Sequence, residues 1–548
     1  MSDTRTKVAL GLDFGTESVR AVLFTLDGRE VGSASCAYAD GQITRAMPES
    51  AGGAELPADY ALQNPQDWLD ASAQCTREAV AAAGVDPADV VGIGVDFTSC
   101  TMLPCTADGT PLCRVSGMKQ TPLAWPKLWK HHGAKAQTDR INAVAAERDE
   151  PWLKRYGGVI GLEWFWPKVL ETLENAPAVY DAAEVWIEAG DWYVWQLVGA
   201  GSETPAAELA RSTCQAGYKA CWTAETGYPS PEFFAALNPK LRDVVAEKMP
   251  GRMRAPGERA GGLAAGAAER MGLRAGTPVA AATIDAHAGV PGVGVGETGT
   301  LVLVMGTSSC HMLMGESDAS VPGVAGVVKD GILPGSYGFE TGQAAVGDGF
   351  AWLRNLLGHD GFEELDAGAR ALPPGAEGVG ALDWMNGCRT PLMDGRVAGA
   401  FTGLTLNHGP AHLYRALLEA SAMGVRWIVE TLENGGVPVK RIVATGGLPH
   451  HNPLLMQIQA DVLGRELEVH PNLQGPATGA AILGAMAAGR GVTGFVDAAA
   501  AVGAMAGGAE TKRVTHDAGA AEAYGPLYAR YRETAAFAQG LVRGDADN

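Results

Sequence analysis

Gly11-Leu12-Asp13-Phe14-Gly15-Thr16-Glu17-Ser18-Val19-Arg20 closes an apolar run that begins at Val8. Far along the chain, Gly306-Thr307-Ser308-Ser309 closes a second run, Thr300 to Met305. Both tetrads read Gly-Thr-x-Ser, and both follow a buried-strand pattern. Equivalent strand ends in two halves predict a duplicated α/β fold with two facing phosphate loops. Glycine lets the backbone approach phosphate oxygens, consecutive N–H groups can point at them, and a threonine hydroxyl adds a donor.

Working outward, Ala21 to Leu26 meets Asp27-Gly28, and Val31 to Tyr38 follows, which reads as a β-hairpin. Residues Gly41 to Asp59 read as a loop. Asn64-Pro65 reads as a helix start, with Gly84 as the stop. Val90 to Val95 and Val279 to Ile284 are further strand candidates, ending at Asp96 and Asp285. The stretch from Trp125 to Pro250 is mainly helical in pattern. His412 to Asn434 is the clearest amphipathic helix. Arg441 to Ala444 reads as a strand running into Gly446-Gly447, and Asn452 as the cap of a helix that ends at Gly464. Ala481 to Ala488 reads as a helix, and Ala498 to Ala509 carries no assignment.

At 548 residues the chain exceeds one hydrophobic core, so two large or three smaller domains are expected. Its net charge of −20 predicts no nucleic-acid partner and no anionic membrane surface. Any site for an anion must then be built locally, from backbone N–H groups, a metal and a few cations. The nine cysteines form no CxxC pair, which predicts free thiols in a reducing cytosol. No targeting segment or membrane span is read from the pattern, so a soluble cytoplasmic protein is expected.

Asp13, Asp96 and Asp285 fall at the C-terminal ends of predicted strands, where α/β sheets bind ligands. Each also reads as a turn former or helix cap. Taken together they favour a site, because small or hydroxyl residues follow each one. Phosphoryl transfer needs positioning, charge neutralisation and a base for the attacking hydroxyl. No Gly-Lys pair occurs, so there is no Walker A loop. Two GxGxxG matches, at Gly294 and Gly489, lack the strand-before, helix-after context of a dinucleotide loop.

Several longer segments carry a resemblance. They are Gly11 to Arg20, Val95-Asp96-Phe97-Thr98, Leu128-Trp129-Lys130-His131-His132, Glu163-Trp164-Phe165-Trp166-Pro167-Lys168, Glu188 to Trp192, Ile284-Asp285-Ala286-His287, Met305 to Ser308, Gly446 to Pro449 and Leu455 to Val462. In this order the chain resembles the FGGY carbohydrate kinases, and the Trp-Lys-His-His and Glu-Trp-Phe-Trp segments point to their L-ribulokinase group. The resemblance implies an α/β fold of two actin-like (ribonuclease H-like) domains, residues 1–287 and 288–548, with ATP and sugar in the cleft between them. It implies ATP and Mg²⁺ as cosubstrate and cofactor, a small sugar as partner and a homodimer as one assembly. The implied reaction is phosphorylation of a ketopentose, L-ribulose first, with xylulose, ribitol or glycerol as alternatives. A non-catalytic actin-like ATPase is the reading from another class.

By the same likeness Asp285 is the general base, and Asp13 holds Mg²⁺. Thr16, Ser18 and Arg20 belong to the first phosphate loop, and Gly306 and Thr307 to the second. Gly446, Gly447 and Asn452 line the adenosine pocket. Ser99, Trp129, Lys219 and Glu340, with Asp285, bind the sugar. Other readings stay open: Arg20 on the hairpin surface, Asn452 as a plain cap, Lys219 as a solvated lysine, Trp129 in the core. Glu340, flanked by Gly338 and Gly342, reads as part of a ligand loop. Ser99-Cys100 stands where members of the family vary, which leaves the sugar open. His131 and His132 read as structural, on a helix that points them apart.

Overall fold

A computed structural model describes residues 6–546. Its first large sheet is built from β1 (Val8–Phe14), β2 (Ser18–Thr25), β3 (Glu30–Ala37), β4 (Val90–Phe97), β5 (Arg259–Gly262), β6 (Pro278–Ala280) and β7 (Thr283–Ile284). The order is β3-β2-β1-β4-β6-β5, and β7 pairs with β4 beyond the end of β6. β1, β2 and β3 form an antiparallel meander, and β1, β4 and β6 run parallel.

The second sheet repeats the plan. It holds β8 (Thr300–Met305), β9 (Ser309–Gly315), β10 (Gly326–Lys329), β11 (Tyr337–Gln343), β12 (Arg441–Thr445), β13 (Leu467–Val469) and β14 (Lys512–Val514). The order is β10-β11-β9-β8-β12-β13-β14. Again an antiparallel meander (β8, β9, β11) lies beside parallel strands (β8, β12, β13). The two Gly-Thr-x-Ser tetrads occupy the same place in both sheets, the turn between the first and second strand.

Helices cover these sheets. α1 (Pro65–Ala83) is capped by Asn64, whose side chain accepts from the Gln66 N–H, and ends at Gly84 in the left-handed conformation. Between β4 and β5 a separate, tryptophan-rich core forms around Trp152, Trp164, Trp166 and Trp186. It contains α2 (Phe165–Asn175) and carries α3 (Thr213–Lys219) at its edge. α4 (Asp285–Gly292) starts where β7 ends. In the second half lie α5 (Gly347–Leu356), α6 (Pro410–Asn434), α7 (Pro453–Leu463) and α8 (Gly475–Ala488).

α8 lies in sequence between β13 and β14, the last two strands of the second sheet, but packs on the first. Glycines make this possible. A Cβ at Gly94 of β4 would lie 1.7 Å from the Ala480 carbonyl oxygen, and one at Gly11 of β1 would lie 2.0 Å from that of Ala477. On its other side, Gly479 meets the Ala288 carbonyl of α4 at 1.8 Å by the same measure. Backbone therefore rests directly on backbone where the halves join. Among the described residues no single helix is long and apolar enough to cross a membrane.

Candidate active site

Three carboxylates gather at the C-terminal ends of neighbouring parallel strands. Asp13 on β1 stands opposite Asp96 on β4, and Thr283 on β7 is the other neighbour of Asp96. Asp285 follows two residues later as the first residue of α4. Asp96 is wholly buried, and apart from the Asp13 carboxyl beside it no group hydrogen-bonds its oxygens. Burial, with Asp13 and Asp285 nearby, pushes its carboxyl well up. Burial also raises Asp13, against the opposing effects of Asp96 and of Arg20, whose Nη1 lies 3.5 Å from Asp13 Oδ2. Arg20 thus faces the site rather than standing free on the hairpin.

Asp285 is partly open to the cleft. Burial lifts its pKa to about 7, against the Ala286 N–H, which donates to Oδ1 at 2.6 Å. Asp13 and Glu340 push it further up, and Lys219 pulls it back. The one carboxylate therefore feels both Asp13 beside the first Gly-Thr-x-Ser turn and the Lys219–Glu340 pair. A carboxylate that titrates near neutrality suits proton abstraction.

Each turn is locked by its own backbone. The Gly15 N–H donates to the Ser18 carbonyl at 2.9 Å, and the Gly306 N–H to that of Ser308 at 3.0 Å. Tyr38 Oη and Gln63 Nε2 hold the carbonyls of Gly15 and Thr16 from behind. The start of α5 does the same for the second turn: the Gly347 and Asp348 N–H groups donate to the carbonyls of Gly306 and Thr307, each at 3.1 Å. Gly306 and Thr307 remain exposed.

Farther along the cleft, Lys219 ends α3 and Glu340 lies on β11, so the two halves meet in one contact. Lys219 Nζ donates to both Glu340 oxygens at 2.9 Å. Burial alone would lower the lysine, but the Glu340 charge raises it overall. Burial alone would raise Glu340, and the Lys219 charge brings it below the usual carboxylate range. Lys219 also sits 5.4 Å from the Trp164 ring centre. His287 Nε2 is 3.5 Å from Glu340, but burial pushes the imidazole down to about 4, so it is neutral at pH 7 and not half of an ion pair. Trp129 is 37% exposed, and its Nε1 donates to Thr16 Oγ1 at 3.1 Å. Neither the solvated-lysine reading nor the core-tryptophan reading fits these positions. Ser99 precedes Cys100, which takes a left-handed φ of 58° in the turn that follows β4. Such strain in a non-glycine residue is common where a loop is shaped for a ligand.

On the remaining side Gly446 follows β12 with a φ of 97°. A Cβ there would lie 2.4 Å from the Met305 carbonyl, so only glycine fits against the second turn. Gly447 is exposed beside it. Asn452 is different. It is buried, its Oδ1 caps α7 through the Leu455 N–H at 2.9 Å, and its Nδ2 donates to Tyr414 Oη at 2.9 Å. Both ends of its amide are engaged inside the protein.

Two local readings need correction. Glu340 lies in a strand, not a ligand loop. Its flanking glycines make room instead: a Cβ at Gly338 would meet Tyr218 Oη at 2.2 Å, and one at Gly342 the Ser309 carbonyl at 2.4 Å. His131 is not on a helix. It lies in a turn, wholly buried, with Nε2 2.8 Å from Glu171 Oε2. No motif around Arg389 gave a signal, yet its guanidinium lies against Gly342 of β11 and donates to Cys310 Sγ at 3.6 Å.

The model for the FGGY family of carbohydrate kinases, N-terminal domain, matches residues 8–292, and that for the C-terminal domain matches residues 301–488. A ribulokinase from Bacillus licheniformis is 43% identical over 529 residues, spanning 94% of each chain. One from Mycolicibacterium smegmatis is 46% identical over 499 residues, 88% of this chain and 86% of the relative. Among solved structures, a xylulose kinase from Rhodospirillum rubrum superposes with a TM-score of 0.80 at 25% identity, covering 98% of this chain and 99% of its own. Twin sheets, twin turns and a family match across both halves lead to one conclusion: the chain belongs to the FGGY family of carbohydrate kinases, and its two actin-like domains are those of a sugar kinase.

Proposed function

We propose that this chain transfers the γ-phosphoryl group of ATP to the terminal hydroxyl of L-ribulose, giving L-ribulose 5-phosphate and ADP in the cytoplasm. The observation that carries it is the position of Asp285, whose carboxylate feels Asp13 on one side and the Lys219–Glu340 pair on the other. The ribulokinase relatives supply the choice of sugar.

Asp285 takes the proton of the sugar hydroxyl. The freed oxygen lone pair forms the new bond to the γ-phosphorus. The bond from that phosphorus to the β–γ bridging oxygen breaks, and its electron pair leaves with ADP. Thr16, Ser18 and Arg20 hold the phosphates from one side, Gly306 and Thr307 from the other. Gly446 and Gly447 leave room for the adenosine, and Asn452 shapes that pocket from behind as the cap of α7. Lys219 donates to, and Glu340 accepts from, sugar hydroxyls, while Ser99 and the face of Trp129 close the pocket.

Asp13 fits a magnesium site, with the buried carboxyl of Asp96 behind it. Among the described residues no three His, Cys, Asp or Glu side chains group to hold a metal directly. Mg²⁺ takes few protein ligands and keeps its waters, so one carboxylate acting through water suits it. When bound, magnesium neutralises charge on the β- and γ-phosphates.

A coupled ADP-release assay over L-ribulose, D-ribulose, D-xylulose, ribitol and glycerol tests the proposal. L-Ribulose is expected to give the highest kcat/KM. A better result with xylulose or glycerol moves the chain elsewhere in the family. ADP release indifferent to every sugar returns the reading of a non-catalytic actin-like ATPase.

A further inference from the structure

With a net charge of −20, a site for phosphate needs cations that are not already spent. Of the cations around this cleft, Arg20 faces Asp13 at 3.5 Å, and Lys219 is bound to Glu340. Arg389 is held differently. Among the described residues no carboxylate lies within ion-pairing distance of it. The hydrogen bond its guanidinium makes is to a thiol, from Nη1 to Cys310 Sγ at 3.6 Å. Arginine stays charged in proteins and offers five N–H donors in a planar fork that matches phosphate oxygens.

Its position is fixed by the strand beneath it. Thr390 pairs with Gly342 of β11: its N–H donates to the Gly342 carbonyl at 3.1 Å, and its Oγ1 accepts from the Gly342 N–H at 3.3 Å. The missing side chain at Gly342 leaves the space that the guanidinium fills, with Nη1 3.4 Å from where a Cβ would stand. Residues 340 and 342 share one face of β11, because side chains alternate along a strand. Across the ladder Glu340 is level with Met312, Gly342 with Cys310, and Gln343 with Ser309, which leads out of the second phosphate turn. Arg389 therefore lies between the sugar-side carboxylate Glu340 and the turn Gly306-Thr307-Ser308.

We infer that Arg389 is a catalytic residue that grips the non-bridging oxygens of the phosphoryl group while it passes from ATP to the sugar. The inference rests on the kinase reading above and adds a residue to it. As the bond to the sugar oxygen forms and the bond to ADP breaks, negative charge spreads over those oxygens. A fixed cation there stabilises the transition state more than either ground state. The charges of Glu340 and Glu163 reach the guanidinium through space, but its side-chain hydrogen bond goes to a thiol, which leaves the fork open for the anion that arrives.

Arg389→Met and Arg389→Lys, assayed with whichever sugar the wild type phosphorylates best, decide this. Failure of the L-ribulose assignment shows in the wild type, whereas failure of the arginine assignment shows only in the variants. The expected result for Arg389→Met is a kcat lower by about 10²–10³-fold, with sugar KM within about threefold. The complex of ADP, aluminium fluoride and sugar should weaken with it, while ADP alone binds as in the wild type. Arg389→Lys keeps a point charge and loses the fork, and its kcat should fall at least about tenfold. Should the methionine variant not fold, the lysine variant and the aluminium fluoride measurement on it carry the decision. An unchanged kcat in Arg389→Lys overturns the inference. So does a raised sugar KM at normal kcat, which would make Arg389 a reader of sugar hydroxyls.

Discussion

Lys219 Nζ and the Glu340 carboxylate meet at two hydrogen bonds of 2.9 Å, one partner from each half of the chain. Both side chains are buried, and their charges hold each other ionised. Removing one partner leaves the other charge buried without compensation, at a cost of about 3–5 kcal/mol. Glu340→Gln is therefore expected to lower stability by that order in denaturant titrations and to raise sugar KM. Combining it with Lys219→Met should recover part of the stability but none of the sugar affinity. Full additivity of the two stability losses would contradict the pairing.

The pKa of about 7 at Asp285 sets a pH profile. As the proposed base, Asp285 must be a carboxylate, so kcat/KM for the sugar should fall about tenfold per pH unit below 7 and level off above it. The same shift acts on stability in the opposite direction. The folded state holds this proton more tightly than the unfolded chain does, from its ordinary value of 3.8 upward. The resulting stabilisation is present in full below 3.8 and is lost as pH rises through about 7. Asp285→Asn lacks that slope, so its Tm should gain on the wild type between pH 4 and pH 8. A flat difference across this range would contradict the shift.

Trp129 ties its loop to the first Gly-Thr-x-Ser turn through Thr16 Oγ1, which the proposed mechanism makes a link between sugar and phosphate. Trp129→Phe keeps an aromatic face and removes the donor. One hydrogen bond of this kind is worth about 0.5–1.5 kcal/mol, which corresponds to a roughly two- to tenfold change. We expect that change in the KM for ATP as well as in that for the sugar. An effect confined to the sugar would show that the bond does not reach the nucleotide.

Where α8 rests on the first sheet, Gly94 leaves no room for a side chain, with the Ala480 carbonyl 1.7 Å from the Cβ position. Gly94→Ala must push α8 away, and overpacking of this kind costs about 1–3 kcal/mol or more. The variant should melt earlier and show weakened coupling between sugar and ATP binding. A variant as stable as the wild type would contradict this contact.

What the sequence disclosed was local. Strand ends at Asp13, Asp96 and Asp285, the cap at Asn64 and the repeated Gly-Thr-x-Ser turn all depend on neighbours a few residues away. What it concealed depends on distant parts of the chain. Gly338 and Gly342 looked like loop punctuation, yet each clears space in a strand, one for Tyr218 and one for the Ser309 backbone and Arg389. Arg389 sits in no recognisable pattern, since its place is set by β11 rather than by its own segment. The alanine-rich run of α8 was readable as a helix, but nothing local says that it packs on the sheet of the other half.

The role of Asp285 is tested most directly by Asp285→Asn, with turnover and binding measured on the same preparation. Turnover is expected to drop by about 10²–10⁴-fold, while calorimetry shows sugar and ADP binding close to wild type. Turnover within tenfold of wild type at pH 8, with binding intact, would contradict the assignment of Asp285 as the base.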